Sequence, residues 1–313
     1  MKRMRAHAVA ILVLALTIGA ATHCTAAAEP TADKPTLENV TYGPHERNVL
    51  DLWLAKSDRP TPLVVFIHGG GFRRGDKESV RGRPVVKQCL DAGVSFASIN
   101  YRFLDHAGIA DILRDSARAI QTFRQRAKEW NLDPARIAAY GSSAGAGTSM
   151  WLAFHDDLAD PKADDPVRRQ SSRLAAAGSL DGQVSYDLRE WARYVGESPY
   201  ERNGAELAVF YGFQFENQVH TPDGDRVMKD CSMIELISPG DPPVGIACFR
   251  PDGVPVDRGH YVHHPKHSVA LAERCKQQGV ECLLVLEKDI GGDRAKQAEK
   301  VVAYLIEKLK AGG

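Results

Sequence analysis

The sequence predicts an α/β protein, with a mostly parallel central sheet, helices on both of its faces and a small insertion late in the chain. Three observations carry this reading. Short apolar runs free of turn residues alternate with longer segments whose apolar residues recur at helical spacing. Ile137 to Phe154 reads as strand, tight turn and helix in direct succession around Gly141-Ser142-Ser143-Ala144-Gly145. A run of three glycines, Gly69 to Gly71, follows a fully apolar strand about seventy residues upstream. Strands buried on both faces lose the polar alternation of a half-exposed sheet, and that is how most of these runs read.

In chain order, Val40–Tyr42 and Val49–Leu54 alternate across Gly43-Pro44 and open the fold as an antiparallel pair. Leu63–Ile67 is a buried strand, Val85–Ala92 a helix and Val94–Tyr101 the next strand. Ile109–Trp130 has helical periodicity and stops before Asp133-Pro134. After the Ser143 turn come a strand over Leu174–Leu180, then Val244–Phe249, a helix Ser268–Gln278, a strand Cys282–Leu286 and a last helix Ala295–Lys310. Between about 185 and 239 the periodicity degrades and aromatic residues accumulate, Trp191, Tyr194, Phe210, Tyr211 and Phe215 among them. This stretch reads as a lid inserted after the sixth core strand, within a single domain over residues 40–313.

The 313 residues carry 40 Lys plus Arg against 40 Asp plus Glu, so no charge imbalance points to nucleic acid. Lys2, Arg3 and Arg5 precede an uncharged apolar core, Ala8 to Ala21, and Ala26-Ala27-Ala28 offers a small-residue cleavage site. Residues 1–28 therefore read as a signal peptide and the mature chain as secreted or periplasmic. The apolar core is short for a spanning helix, so no stable membrane anchor is expected. Residues 29–39, rich in Pro, Ala and Thr, read as a disordered leader. Five cysteines remain after Cys24 is removed, and buried thiols suit them better than a disulfide framework, although Cys275 and Cys282 stand at a helix end and the following strand.

The turn at Ser143 has the G-x-S-x-G pattern of a nucleophile elbow. Such a turn strains the serine backbone, requires small neighbours and leaves the hydroxyl free above the sheet. Together with Phe66-Ile67-His68-Gly69-Gly70-Gly71-Phe72, Ile99-Asn100-Tyr101-Arg102, Leu132-Asp133-Pro134-Ala135-Arg136-Ile137 and Asp241-Pro242-Pro243-Val244, the chain resembles the α/β-hydrolase superfamily from about Val40 to Leu309. Within it, the chain is most similar to secreted carboxylesterases of the hormone-sensitive-lipase-like and bacterial feruloyl or acetyl-xylan esterase kind. The resemblance implies an α/β-hydrolase fold, no cofactor and no metal, with Ser143 as nucleophile and an oxyanion hole from the backbone N–H groups of Gly70, Gly71 and Ala144. Residues without side chains let those donors approach the developing oxyanion, and one such donor is worth about 10²–10³ in rate. His68 is expected to be structural, and Arg102 with Asp115 a buried scaffold pair.

The same resemblance places the triad acid nine residues after Pro243, at Asp252, with Asp181 at the end of the preceding strand as the alternative. The base does not carry over. Its usual loop reads Glu287-Lys288-Asp289-Ile290-Gly291-Gly292-Asp293, and no histidine follows His267. The candidates are His260, His263, His264 and His267, in the loop after Asp252. Pro265 suits the first position of a helix and makes His264 its cap. Pro265 also breaks the i, i+4 pairing of a helical metal site, and no carboxylate or cysteine cluster completes a ligand set. His155 lies roughly 18 Å along the helix from Ser143 at 1.5 Å per residue, and His220 lies in the insertion. His263 or His264 is therefore the expected base.

Two functions remain open. One is an exported serine carboxylesterase acting on acetyl or feruloyl esters of polysaccharide or on small esters. The other is a degenerate relative that binds an ester, glycan or protein without efficient turnover. The export expectation is checked by N-terminal sequencing of protein from its source: the mature chain should begin close to Glu29, and a mature chain that retains Lys2 or Arg3 contradicts it.

Overall fold

A computed structural model describes residues 32–197, 203–291 and 293–311. The expected signal peptide lies outside the described residues. One sheet of 8 strands organises the chain: β1 (Leu37–Thr41), β2 (Val49–Trp53), β3 (Thr61–Ile67), β4 (Ser95–Ile99), β5 (Leu132–Ser142), β6 (Ala176–Leu180), β7 (Val244–Cys248) and β8 (Cys282–Leu286). Their spatial order is β1-β2-β4-β3-β5-β6-β7-β8. The β1–β2 and β2–β4 pairs are antiparallel and every other neighbouring pair is parallel. β1 starts within the stretch expected to be a leader. There its register with β2, and a bond from the Leu54 N–H to the Thr36 hydroxyl (3.0 Å), give the chain backbone partners.

The helices are α1 (Pro84–Asp91), α2 (Ile109–Gln125), α3 (Ala144–Phe154), α4 (Trp191–Val195), α5 (Gly204–Tyr211), α6 (Pro222–Asp230), α7 (Met233–Leu236), α8 (Arg258–Val262), α9 (Pro265–Gln278), α10 (Glu287–Ile290) and α11 (Arg294–Ala311). Side chains alternate across each strand. Leu63, Val65 and Ile67 of β3 pack with Ile112, Ile120, Phe123 and Leu271 of α2 and α9. Val64 and Phe66 pack on the other face with Val86, Cys89, Val302 and Leu305 of α1 and α11. β3, β4, β6 and β7 are buried at every residue, which explains why they carry no charged residue and only small hydroxyls such as Thr61, Ser95, Ser98 and Ser179 among apolar ones. The described cysteines are all free thiols, Cys275 and Cys282 included. Among the described residues no helix is long and apolar enough to cross a membrane.

The segment expected as an insertion follows β6 and holds α4 to α7. It is tied to the core by the Tyr186 hydroxyl, which donates to the Ala144 carbonyl, and by the Tyr186 ring against Phe72 (5.3 Å between centroids). The stretch 258–262, read as loop in the sequence, forms α8, where the Asp257 carboxylate accepts from the His260 N–H at 2.7 Å. One turn is too short for periodicity to reveal it.

The edge that will matter is built by a close crossing. Ile67 pairs with Gly141 across β3 and β5, and α3 leaves that point directly. A Cβ on Gly145 would lie 2.0 Å from the Ile67 carbonyl oxygen, and one on Gly141 would lie 2.3 Å from the Gly145 backbone. Both glycines are thus required by backbone contact. Gly145→Ala should lower the urea midpoint with an unchanged slope, costing about 2 kcal/mol or more, the upper range of overpacking in a close-packed core. A midpoint equal to wild type contradicts the contact.

Candidate active site

Ser143 occupies the turn between β5 and α3 with φ 54° and ψ −117°, a backbone conformation that non-glycine residues adopt only when their surroundings impose it. Its N–H donates to the Leu180 carbonyl at 2.9 Å, and its carbonyl accepts from Ala146 and Gly147, at 2.9 and 3.2 Å. Those bonds hold the turn from both sides. Ala144 follows at the first position of α3, where backbone N–H groups lack intrahelical acceptors.

The glycine loop crosses beside this turn. A Cβ on Gly69 would lie 2.6 Å from the Ser142 carbonyl oxygen, and one on Gly70 (φ 117°) would lie 2.0 Å from that of Arg74. Gly69, Gly70 and Ser143 share the lining of a cavity of about 570 Å³. Gly71 is exposed and outside that lining, so of the two glycines expected to face the serine only Gly70 borders its cavity. His68 is buried and structural: Nδ1 bonds the Gly69 carbonyl (2.8 Å), Nε2 faces Arg47 (3.4 Å) and the ring stacks on Tyr101 at 4.3 Å. The Arg102–Asp115 pair forms as expected, with two contacts of 2.8 Å.

Of the four histidines after Asp252, the structure brings His263 to the serine, with Nε2 at 3.4 Å from the Ser143 hydroxyl. Its Nδ1 lies 2.8 Å from the Asp181 carbonyl oxygen. A carbonyl only accepts, so the proton sits on Nδ1 and the Nε2 lone pair faces Ser143. The Gln183 amide, 3.1 Å from Nδ1 and equally from the Val262 carbonyl, donates to that carbonyl and packs beside the ring. The Cys248 thiol donates to the His263 carbonyl (3.4 Å) and holds its backbone. Burial pulls the His263 pKa below 6.5, against the opposing pull of Asp181, and Arg250 and Arg294 add to the lowering.

His264 is not at the serine. It caps α9, its Nδ1 accepting from the Lys266 N–H (3.2 Å) and its Nε2–H donating to the Gly253 carbonyl (2.7 Å). The Nε2 of His260 bonds the Pro251 carbonyl (2.9 Å), and that of His267 the Tyr261 carbonyl (3.2 Å). Three histidines fasten the loop and the fourth faces the hydroxyl.

Asp252 requires a correction. Its side chain is 77% exposed and its ionic neighbour among the described residues is His264, at 3.8 Å. The loop that carries it runs out into solvent, with Val254 86% and Val256 79% exposed, so a fixed count from Pro243 lands on a residue away from His263. Asp181, the alternative, lies next to the imidazole. Its carboxylate Oδ1 accepts from the Phe249 N–H (3.0 Å) and from Gln297 (3.2 Å), and Oδ2 is buried without a hydrogen bond among the described residues. Burial raises the Asp181 pKa above 3.8 in spite of those bonds.

Asp293, at the usual histidine position, accepts from the Ala295 N–H (2.9 Å) at the start of α11. The adjoining Arg294 reaches the Ser142 hydroxyl at 3.3 Å, in the cavity beside Ser143. Gln183, Cys248, Arg294 and Gln297 gave no sequence signal, because each matters only through what the sheet order sets beside it.

The BD-FAE family model matches residues 50–254. The chain belongs to the BD-FAE family. This BD-FAE protein is 31% identical over 145 residues to the "Probable isoprenylcysteine alpha-carbonyl methylesterase" of Arabidopsis thaliana, a match that covers 46% of the chain and only 30% of that relative. A truncated form of a carbohydrate esterase from gut microbiota superposes with a TM-score of 0.70 at 19% identity, over 90% of this chain and 99% of its own. Thermogutta terrifontis esterase 2, in a structure phosphonylated by sarin, gives 0.64 at 22% identity over 87% and 95% of the two chains. Both share the α/β-hydrolase fold of this BD-FAE chain.

The buried histidines predict a pH response of the fold. Burial lowers His68 from 6.5 to about 4 and His267 to about 3. Below pH 6.5 the unfolded chain binds protons that the folded chain refuses, so stability is full above that value and falls as pH drops through it. At pH 5 each group costs roughly 2 kcal/mol. Asp181, raised by burial, acts in the opposite sense at lower pH. The urea midpoint should therefore fall between pH 7 and pH 5, and equal midpoints contradict the burial of these rings.

Proposed function

We propose that this chain is an exported serine carboxylesterase that removes acetyl or feruloyl groups from polysaccharide or cleaves small esters. The single observation that carries the reading is Ser143 in its strained turn with the unprotonated Nε2 of His263 at 3.4 Å. That separation is long for a hydrogen bond, and such contacts tighten when substrate binds.

In the proposed reaction the Ser143 oxygen attacks the ester carbonyl carbon while His263 Nε2 takes its proton. The carbonyl electron pair moves onto oxygen, which sits toward the Ala144 N–H and the Gly69–Gly70 loop. The intermediate collapses, the bond to the alcohol oxygen breaks and that oxygen takes the proton from His263, leaving an acyl-serine. Water repeats the sequence and releases the acid and free Ser143. Asp181 acts as a positioning residue: its carbonyl accepts from Nδ1–H, and its carboxylate lies close enough to favour the imidazolium electrostatically.

Family membership and the carbohydrate esterase named among the structural neighbours support the ester substrate class. A second cavity, of about 320 Å³, is walled by Trp191, Leu207, Tyr211 and Met228 and reaches Val262, next to His263. It supports the assignment of residues 185–239 as a lid that holds an aryl group or a sugar ring. The charged start, apolar core and Ala-Ala-Ala site support export.

A fluorophosphonate should label the wild-type protein and not Ser143→Ala. His263→Ala should lower kcat on a short aryl acetate by about 10³-fold or more, the scale of losing a triad base. Asp181→Asn should lower kcat as well, whereas Asp252→Asn should match wild type. The acid limb of kcat/KM should have its inflection below pH 6.5, because His263 resists protonation. If wild type neither takes the label nor turns over the ester, the protein is a binding relative and not an esterase.

A further inference from the structure

The cavity beside Ser143 is not electrically neutral in its lining. Its floor is apolar, with Phe66, Tyr140 and Leu180, but Arg74, Arg83 and Arg294 stand on its exposed rim. None of the three has a carboxylate within 4.0 Å among the described residues, while other arginines of the chain, such as Arg81, Arg102 and Arg118, are ion-paired. Two rim carboxylates offset part of this charge and leave an excess of one positive charge in the lining. Asp76 bonds the Asn100 amide (2.8 Å) and the Glu78 N–H (2.9 Å), and Glu299 is exposed on α11. The protein carries no net charge, so this excess is local.

Arg294 is the best placed of the three. Its guanidinium contacts the Ser142 hydroxyl, one residue from the nucleophile, and lies 5.2 Å from the centre of the Phe249 ring, which supports it from one side. A guanidinium is a planar fork of donors that matches a carboxylate with two parallel hydrogen bonds.

We propose that the preferred ester bears a carboxylate elsewhere in the molecule, bound by Arg294 with Arg74 and Arg83 at the mouth of the cavity. The carboxylate sits either on the alcohol arm, as in an acetylated hexuronate ring, or on the acyl arm, as in a half-ester of a dicarboxylic acid. The inference rests on the serine-esterase reading of the same site.

The test compares matched pairs at low salt. One pair is an O-acetylated methyl hexuronoside against the acetylated methyl hexoside that has CH₂OH in place of the carboxylate. The other is 4-nitrophenyl hemisuccinate against 4-nitrophenyl butyrate. For one pair the ratio of kcat/KM, acidic over neutral, should be about tenfold or more, the scale of a hydrogen bond to a charged group. Arg294→Gln should bring that ratio close to one, Arg294→Lys should restore part of it, and raised ionic strength should shrink it in wild type. Ratios near one in both pairs, or a preference that survives Arg294→Gln together with Arg74→Gln and Arg83→Gln, overturn the proposal. Should no ester be turned over, titration calorimetry with the methyl hexuronoside and with succinate decides it separately. Binding lost in Arg294→Gln supports the carboxylate site while the esterase reading fails, and no binding of either overturns both.

Discussion

The approach of two glycines to the Ile67 carbonyl is the contact on which the site depends. Because Gly141 and Gly145 carry no side chain, the turn after β5 and the first turn of α3 press directly against the end of β3. That contact sets the glycine loop beside Ser143, since the loop leaves β3 at the same point. The parallel register then adds β6, whose Leu180 pairs with Ser142 and delivers Asp181 next in the chain. Ser143, the glycine loop and the Asp181 carboxylate therefore come from the carboxyl ends of three adjacent strands, β3, β5 and β6. No long-range side-chain network is needed to bring them together.

The imidazole reaches this edge by a different route from the one the superfamily resemblance implies. It arrives from the end of α8, 120 residues after Ser143 in the chain, and its loop is organised by its own neighbours. His260, His264 and His267 bond backbone carbonyls of that loop, while Cys248, at the end of β7, bonds the carbonyl of His263 itself. The cluster that resembles a metal site in one dimension is in three dimensions a set of clamps around the one ring that faces Ser143. The segment after β8 holds no histidine, and it supplies an aspartate cap and Arg294 instead.

Much of this could be read from the chain because it is local. Buried parallel strands announce themselves as uncharged, mostly apolar runs, the elbow by its pentapeptide, and the start of α9 by Pro265 behind a capping residue. The capping argument also separated the two candidate histidines, since a histidine committed to capping is not free for a neighbouring serine, and it is His263 that faces Ser143. The closeness of Asp181 to His263 was hidden for a geometric reason. A count from Pro243 assumes a loop of fixed length, whereas Asp181 is specified by which strand lies beside β5, and strand order is not a local property. Arg294 and Gln297 are hidden for the same reason, because α11 meets the site only after the whole sheet has closed.

Three residues with side chains hold left-handed backbone angles at this edge: Phe72 (φ 60°), Ser143 (φ 54°) and Asp181 (φ 53°). Glycine would adopt each conformation without steric cost. Glycine at Ser143 would relieve that backbone strain, whereas at Phe72, a buried ring in contact with Tyr101, Tyr186 and Phe210, the exchange would cost about 3–5 kcal/mol of packing. A chain with glycine at all three would also lose the hydroxyl, the carboxylate and the aromatic ring that joins the glycine loop to the insertion. This edge thus keeps its side chains at a cost in backbone strain, and relieving that strain at Ser143 or Asp181 removes the group that the proposed reaction uses.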